Sequence, residues 1–465
     1  MLMLPAGPPL LTPDEMRGAE AAAIAAGTPA LVLMERAAAA GTAAIMAFAP
    51  RGRALVLCGP GNNGGDGYGV ALGLRARGVS VDVIALAPPA TEPAQTMAAR
   101  WDGPVLGPET LADTHDTLIV DALFGTGLGR PLPPAAEALL AALQGSGPVV
   151  ALDIASGIDA LTGEAHGQPL AADLTIAFGA AKHGHVQGAG ARTRGRLVVA
   201  DIGAALPDVP IHLVSRPLRG VPAPDTHKFA RGQLLVVGSH LATGGAAALA
   251  ASAALRSGAG VVTLAGDAAT LPNAIMRRDD AAARTLLDDR RTTALLLGPG
   301  LAEDGRSRDW LNRALAASLP VVLDAMALRL ADPAMLAAAR APMVLTPHEG
   351  EFRALFGDIG PNRIAAVQAA ASLASAVVLL KGPETIIAAP DGRVLVNTHA
   401  SPHLATAGSG DVLAGIIAGL IAQGMDPFRA AAAAAWLHGE AGFLCGPGLI
   451  ADDLVAALPS VLASL

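Results

Sequence analysis

Only two of the 465 residues are cysteine, Cys58 and Cys445. They fall in opposite halves of the chain within apolar stretches, which argues against a disulfide framework or a thiolate metal cluster and leaves two core side chains. Aromatic residues make up 3% of the chain and charged residues 15%, with a net charge of -8 and a pI near 5.7. That balance argues against a nucleic-acid partner, which needs cations for its phosphates and rings for its bases. No uninterrupted apolar run reaches the about 20 residues that span a bilayer. The closest, Val412 to Ala422, follows an acidic loop, and Met1 to Leu11 carries neither a basic flank nor a cleavage site. A cytoplasmic protein with no membrane partner is the expectation.

What the chain has in quantity is apolar residues, 52%, with 54 Gly and 35 Pro. Such a composition suits a folded α/β protein with many strand-loop-helix transitions, and the length suits two large domains or three small ones. Asp14 to Phe48 has an Ala-rich helical pattern broken at Gly27 and Pro29, followed by a strand-like run, Ala54 to Cys58, and a glycine-dense loop. Apolar runs at Val79 to Leu86, Leu118 to Val120, Val149 to Leu152 and Leu174 to Ala177 alternate with helical stretches, the pattern of a parallel sheet wrapped by helices.

Three prolines within Pro217 to Asp225 stop that rhythm, since proline continues neither a helix nor a central strand. They divide the chain into domains at 1–217 and 225–465. A second alternation runs through Gln233 to Val237, Gly260 to Leu264, Ala294 to Leu297, Val321 to Leu323, Met343 to Leu345 and Val377 to Leu380. Pro390-Asp391-Gly392 reads as a hairpin turn.

The most informative segment is Ala407-Gly408-Ser409-Gly410-Asp411, at the head of an apolar helix. Amides of Gly408, Ser409 and Gly410 can converge on an anion there, because the first turn of a helix leaves N–H groups without partners. Asp411 stands where a carboxylate can take the proton of an attacking hydroxyl, or where it can simply cap the helix. Lys381-Gly382-Pro383-Glu384-Thr385, Thr346-Pro347-His348-Glu349-Gly350-Glu351-Phe352, Gly298-Pro299-Gly300 and Asp324-Ala325 each follow an apolar strand. That places them on the carboxyl edge, where α/β sheets bind ligands. Lys381 and Thr385 can reach nucleotide phosphates, or form a solvated strand end. Asp324 either helps to hold Mg²⁺ or caps the next helix, and a lone histidine such as His348 is more often structural.

With Phe229-Ala230-Arg231-Gly232, these segments resemble the ribokinase-like superfamily, and within it the ADP-dependent NAD(P)H-hydrate dehydratases, over Asp225 to Leu465. The resemblance implies a ribokinase-like α/β domain. In it Lys381, Gly382, Pro383, Glu384, Thr385, Gly408, Ser409 and Gly410 bind the adenine nucleotide, Gly300, His348 and Asp411 contact the hydrated nicotinamide, and Mg²⁺ accompanies ADP. Glu349 stands where that family usually has proline.

The loop Gly59-Pro60-Gly61-Asn62-Asn63-Gly64-Gly65-Asp66-Gly67 formally contains Gly-x-Gly-x-x-Gly, with Asp82 near the ribose-binding spacing. A dinucleotide fingerprint fits poorly, because Gly65-Asp66-Gly67 is a weak helix start that brings negative charge towards a pyrophosphate. The loop instead resembles that of NAD(P)H-hydrate epimerase domains, as do Leu33-Met34-Glu35-Arg36-Ala37, Asp121 to Pro131, Asp153-Ile154-Ala155-Ser156-Gly157-Ile158-Asp159, Phe178-Gly179 and Lys182-His183-Gly184-His185, across residues 10 to 205. Ala155 replaces that family's usual proline. The resemblance implies a Rossmann-like three-layer α/β/α domain with potassium on Asn63, Asp121 and Ser156. Substrate would then lie on Asn62, Asn63, Gly64, Gly65, Asp66, Gly125, Thr126, Gly127, Leu128, Gly129, Arg130, Pro131 and Asp153. Alone, Asp121 and Asp153 could as well cap turns; in the family pattern Asp153 is the acid or base of the epimerisation.

Together the halves resemble the bifunctional NAD(P)H-hydrate repair enzymes over nearly the whole chain. The implied activity is epimerisation of R and S NADHX and NADPHX and ADP-dependent dehydration of the S form, with release of AMP and phosphate, by a homo-oligomer. A vitamin or sugar kinase and a non-catalytic binding protein are the two rival readings.

Overall fold

The computed structural model describes residues 2–48, 52–109, 117–221, 223–238, 244–268 and 270–465. The chain forms two compact units, Pro9–Val209 and a second made of the residues up to Pro8 together with Pro210–Leu465. The division thus falls at Val209 rather than within Pro217 to Asp225. Ile211–Leu213 joins the second unit's sheet beside Val394–Asn397, and Leu2–Met3 pairs antiparallel with Leu218–Arg219. The proline cluster, whose Pro222 lies outside the described residues, is a connection inside that unit.

The first unit is built on a seven-stranded sheet in the order Arg196–Ala200, Leu174–Phe178, Val149–Leu152, Leu118–Ala122, Arg53–Cys58, Ser80–Ala85, Val105–Leu106. Every pairing in it is parallel. The chain runs outwards from Arg53–Cys58 through Ser80–Ala85, then returns to place Leu118–Ala122 on the other side. This reversal opens a crevice at the carboxyl ends of Arg53–Cys58 and Leu118–Ala122, the position where open α/β sheets bind ligands.

The glycine run after Arg53–Cys58 is helical from its fourth residue onwards, Asn62–Arg75, contrary to its low propensity. Packing overrides propensity here: a Cβ on Gly67 would lie 2.7 Å from that of Ala122 in the sheet, and one on Gly69 2.5 Å from that of Ala38 in helix Ala30–Phe48. Glycine lets the helix lie between both neighbours. Helix Ala30–Phe48 is itself long and apolar enough, by length and composition, to cross a membrane, although Glu35 and Arg36 break it as a run. Its Leu33, Met34, Ala37, Ala38 and Ile45 are buried in the first unit's core.

The second unit holds a ten-stranded sheet in the order Ile211–Leu213, Val394–Asn397, Thr385–Ala388, Val377–Leu380, Met343–Leu345, Val321–Leu323, Thr292–Leu297, Gln233–Val237, Val261–Ala265, Met276–Arg278. It is parallel except where Thr385–Ala388 runs against both of its neighbours. Gly392, at φ 91°, turns the hairpin between Thr385–Ala388 and Val394–Asn397. Helix Ser409–Ala422 is buried along nearly its whole length, so the apolar run expected from sequence forms a core element whose polar head opens at the sheet's carboxyl edge.

Candidate functional site

In the first unit a cavity of about 430 Å³ opens at the crevice. Of the residues expected to contact substrate, Asn62, Asn63, Asp66, Gly125, Thr126, Gly127, Leu128 and Asp153 line it. Gly64 and Gly65 lie inside the packed helix, where a Cβ would strike Gly59 and Met34 respectively, and Gly129, Arg130 and Pro131 are exposed outside the cavity wall. Asp121 and Ser156 are fully buried.

Asp153 ends its strand in the left-handed region, at φ 63°, which a non-glycine residue adopts only when its surroundings fix it. The fixing contacts are visible. Lys182 Nζ donates to Asp153 Oδ1 at 2.7 Å, the Thr126 amide donates to Oδ2 at 3.2 Å, and His185 Nε2 lies 2.7 Å from the Asp153 carbonyl. Burial pushes the Asp153 carboxyl up, but the Lys182 ammonium, His185 and the Thr126 amide together hold it below the usual carboxylate range. It is therefore ionised in the folded protein. Lys182 is 1% exposed and also donates to the Phe178 carbonyl at 2.8 Å.

Asp121 and Ser156 form a separate knot. Ser156 donates through its hydroxyl to Asp121 Oδ1 at 2.6 Å and through its amide to Oδ2 at 2.8 Å. Burial raises the Asp121 carboxyl against these bonds. Both polar atoms of the Asn63 side chain are buried without a hydrogen-bond partner among the described residues. An orphaned amide oxygen and a buried carboxyl short of positive charge are the features an oxygen-coordinated monovalent cation would satisfy, so these residues fit potassium.

In the second unit, helix Ser409–Ala422 begins after Gly408, at φ 85°. The Ser409 amide donates to the Thr406 carbonyl at 3.4 Å, and the amides of Gly410 and Asp411 precede the helix's opening bond, from Val412 N to the Gly408 carbonyl. Lys381 reaches this turn from the strand Val377–Leu380: a Cβ on Gly410 would lie 3.3 Å from Lys381 Nζ. Lys381 donates to Asp324 Oδ1 at 2.9 Å and lies 3.9 Å from Glu351 Oε2, while Thr346 Oγ1 donates to Asp324 at 2.8 Å. Asp324 thus binds Lys381 and Thr346 at its strand end, and the following Ala325 is held at φ 48°. Burial, then repulsion from Asp324 and Glu351 with Lys381 opposing, pushes Asp411 up to about 6.

The loop with Gly298 lies against Asp324, whose carbonyl a Cβ on Gly298 would strike, and carries Gly300 at φ 71°. Of the nucleotide residues expected, Gly382 sits beside Lys381 and Pro383 is exposed. Glu384 turns inwards to Arg363 at 3.4 Å, and Thr385 begins the buried strand Thr385–Ala388.

His348 caps helix Glu349–Phe356: its Nδ1 accepts from the Gly350 and Glu351 amides at 3.0 and 3.2 Å, and Glu351 returns a bond from the His348 amide at 2.9 Å. Glu349 is the first residue of this helix, the position that proline also favours. Its carboxylate pairs with Arg353 at 2.6 Å and lies 3.7 Å from Arg363. Acid in a first turn offsets the helix dipole, so replacing Glu349 by Pro should change stability by no more than about 0.5 kcal/mol, measured as a urea midpoint.

Two further residues receive no role of their own from the sequence. His438, from helix Pro427–Cys445, places Nε2 3.0 Å from Ser409 Oγ in the anion turn, and burial lowers its imidazole to about 4, so the ring is neutral. Lys182, at the end of a two-residue strand, holds Asp153. The motif Lys182-His183-Gly184-His185 marks its place but not its partner.

Known proteins match both units. A family model for NAD(P)H-hydrate dehydratase matches residues 234–452, and one for the YjeF-related protein N-terminus matches residues 30–184. The bifunctional NAD(P)H-hydrate repair enzyme Nnr of Moorella thermoacetica is 37% identical, with 89% of this chain and 88% of that one covered. Its counterpart from Salinibacter ruber is 36% identical, with 98% and 96% covered. Among solved structures, the ADP/ATP-dependent NAD(P)H-hydrate dehydratase from Bacillus subtilis, co-crystallised with ATP/Mg²⁺, is 28% identical with a TM-score of 0.45, covering 52% of this chain and 93% of that one. On the identity and span of its sequence relatives, the chain belongs to the bifunctional NAD(P)H-hydrate repair enzymes.

Proposed function

We propose that the first unit interconverts the R and S hydrates of NADH and NADPH, and that the second dehydrates the S form at the expense of ADP. One observation carries the pairing of activities: each unit has, at the carboxyl edge of its own sheet, a carboxylate centre organised by one buried or half-buried lysine, Asp153 on Lys182 and Asp324 with Asp411 around Lys381.

In the second unit the hydrate hydroxyl attacks the β-phosphate of ADP, and Asp411, close to neutral pH in its titration, takes the proton. Charge on the transferred group meets the first-turn amides of Gly410 and Asp411 and the Lys381 ammonium. His438 holds the Ser409 hydroxyl in place at that turn. Asp324 and Glu351, the carboxylates that crowd Asp411, suit Mg²⁺ carried on the nucleotide, which when bound supplies charge neutralisation. Gly300 and His348 flank the hydrate side; Lys381, Gly382, Pro383, Glu384 and Thr385 flank the nucleotide side. Phosphorylation turns hydroxide, a poor leaving group, into phosphate, whose departure restores the reduced ring.

In the first unit the ionised Asp153 faces the nicotinamide ring between the head of helix Asn62–Arg75 and the 125–128 loop. Asn63, Asp121 and Ser156 would hold potassium, whose charge offsets that of the buried Asp121. A carboxylate kept ionised suits stabilisation of a cationic ring better than the proton delivery expected of it from sequence.

The test is recovery of reduced-nicotinamide absorbance from mixed NADH hydrates with ADP. Recovery beyond the S fraction requires both activities. A stable phosphorylated hydrate without recovery would make the second unit a kinase, and binding without turnover would leave a non-catalytic protein.

A further inference from the structure

Three carboxyl groups line the first cavity with Lys182: Glu20 from helix Pro13–Ala25, Asp66 from helix Asn62–Arg75, and Asp153. The ammonium is committed to Asp153 Oδ1 and the Phe178 carbonyl, at 2.7 and 2.8 Å. Arg17, also on the wall, pairs with Asp14 at the surface. Asp66 is only 9% exposed, yet its carboxyl makes no hydrogen bond and no ion pair among the described residues.

Two carboxylates in such a space repel, and a buried one without a partner relieves the strain by keeping its proton. The two groups are thus driven apart in character, the usual arrangement of an acid beside a permanent anion. The geometry points to Asp66 as the catalytic acid of the epimerisation, with Asp153 remaining the anion that faces the ring. This rests on reading the first unit as the epimerase.

The step balances. Asp66 gives its proton to the hydroxyl, the C–O bond breaks and water departs, while the lone pair of the adjacent ring nitrogen forms a C=N bond. Water then adds to the opposite face, the C–O bond forms again, the nitrogen regains its pair, and the surplus proton returns to Asp66 through water in the cavity. Nothing is oxidised or reduced.

The groups facing Asp66 are Glu20, Asp153 and Lys182. Burial first, then repulsion from Asp153 and Glu20, places the Asp66 carboxyl well above the usual range, with Lys182 opposing. Glu20 is raised as well, by burial and by Asp153, but it reaches the cavity half-buried from its rim.

The experiment follows interconversion of purified R and S hydrates in the full-length protein, without ADP and at fixed potassium, as a function of pH. The wild-type rate falls on the alkaline side as Asp66 ionises. D66N lowers the rate roughly 10²–10⁴-fold and removes that alkaline limb, and D66E restores part of both. Because Asp153 and Glu20 raise Asp66, D153N and E20Q each move the alkaline limb to lower pH, a shift that a merely structural Asp66 would not give. D66N working at the wild-type rate, or an alkaline limb unmoved in E20Q and D153N, overturns the assignment, and the second readout holds even if D66N folds poorly. A wild-type protein that interconverts no epimers sinks the epimerase reading instead.

Discussion

Asp411→Asn is expected to slow ADP-dependent dehydration of the S hydrate by roughly 10²–10⁴-fold, the usual worth of a positioned general base. The loss should lie in kcat, since the nucleotide contacts of Lys381 and the first-turn amides remain. Wild-type activity should rise with pH through about 6, where Asp411 ionises, and the residual activity of the variant should lack that limb. Stability should move the other way. The folded protein holds the Asp411 proton up to about 6, against an ordinary 3.8, so the ionised carboxylate weakens the fold at alkaline pH. Asparagine carries no such charge. The variant's urea midpoint should exceed that of the wild type above about 6, and the difference should close as pH falls towards 3.8. A variant that is both inactive and less stable at alkaline pH would contradict the placement of Asp411 among Asp324 and Glu351.

The second large effect is expected at Lys182. Lys182→Met keeps the length of the side chain but leaves Asp153 buried with no cation, beside Asp66 and Glu20. Removing one partner of a buried ion pair costs about 3–5 kcal/mol, and the epimerase should be lost with it. The sign of the pH dependence inverts. In the wild type Asp153 titrates below its unfolded value, so its contribution is present above that value and is lost only as pH falls through the lowered one. In the variant burial is opposed only by His185 and the Thr126 amide, and Asp153 should titrate above its unfolded value. The destabilisation should then be full at alkaline pH and should shrink as acid protonates the carboxyl. Adding Asp153→Asn should restore most of the stability but none of the activity. Urea titrations at several pH values check this, and a single variant as stable as the wild type at alkaline pH would remove Lys182 from its role.

The strand-loop-helix punctuation made most of the two sheets legible, because buried parallel strands are nearly pure runs such as Val149–Leu152 and Val321–Leu323. Edge strands were not. Met276–Arg278 is polar and exposed, and Ile211–Leu213 is three residues long beside a proline cluster that looks like a linker. The same contrast holds at the sites. Asp153 and Asp324 each follow a strand and Asp411 heads an apolar helix, so their positions can be inferred from the chain alone. Lys182, Glu20 and His438 come from elements remote in sequence, and neither a lysine's burial nor a histidine's partner has a local pattern. Glu349 shows the reverse case: a departure from the family's proline proves to be an exchange between two residues suited to the first turn of a helix.

The pairing of Leu2–Met3 with Leu218–Arg219, and the bond from Leu213 N to the Pro8 carbonyl, make the first unit an insertion in the chain of the second. On the ribosome the opening residues must wait until more than the whole first unit has been synthesised before their partners exist. Folding of that inserted unit shortens the loop that has to close, so the epimerase acts as an intramolecular staple for the dehydratase's first strand. Cleavage near residue 217 would therefore separate pieces of one compact unit, in which residues 2–8 belong with 210 onwards.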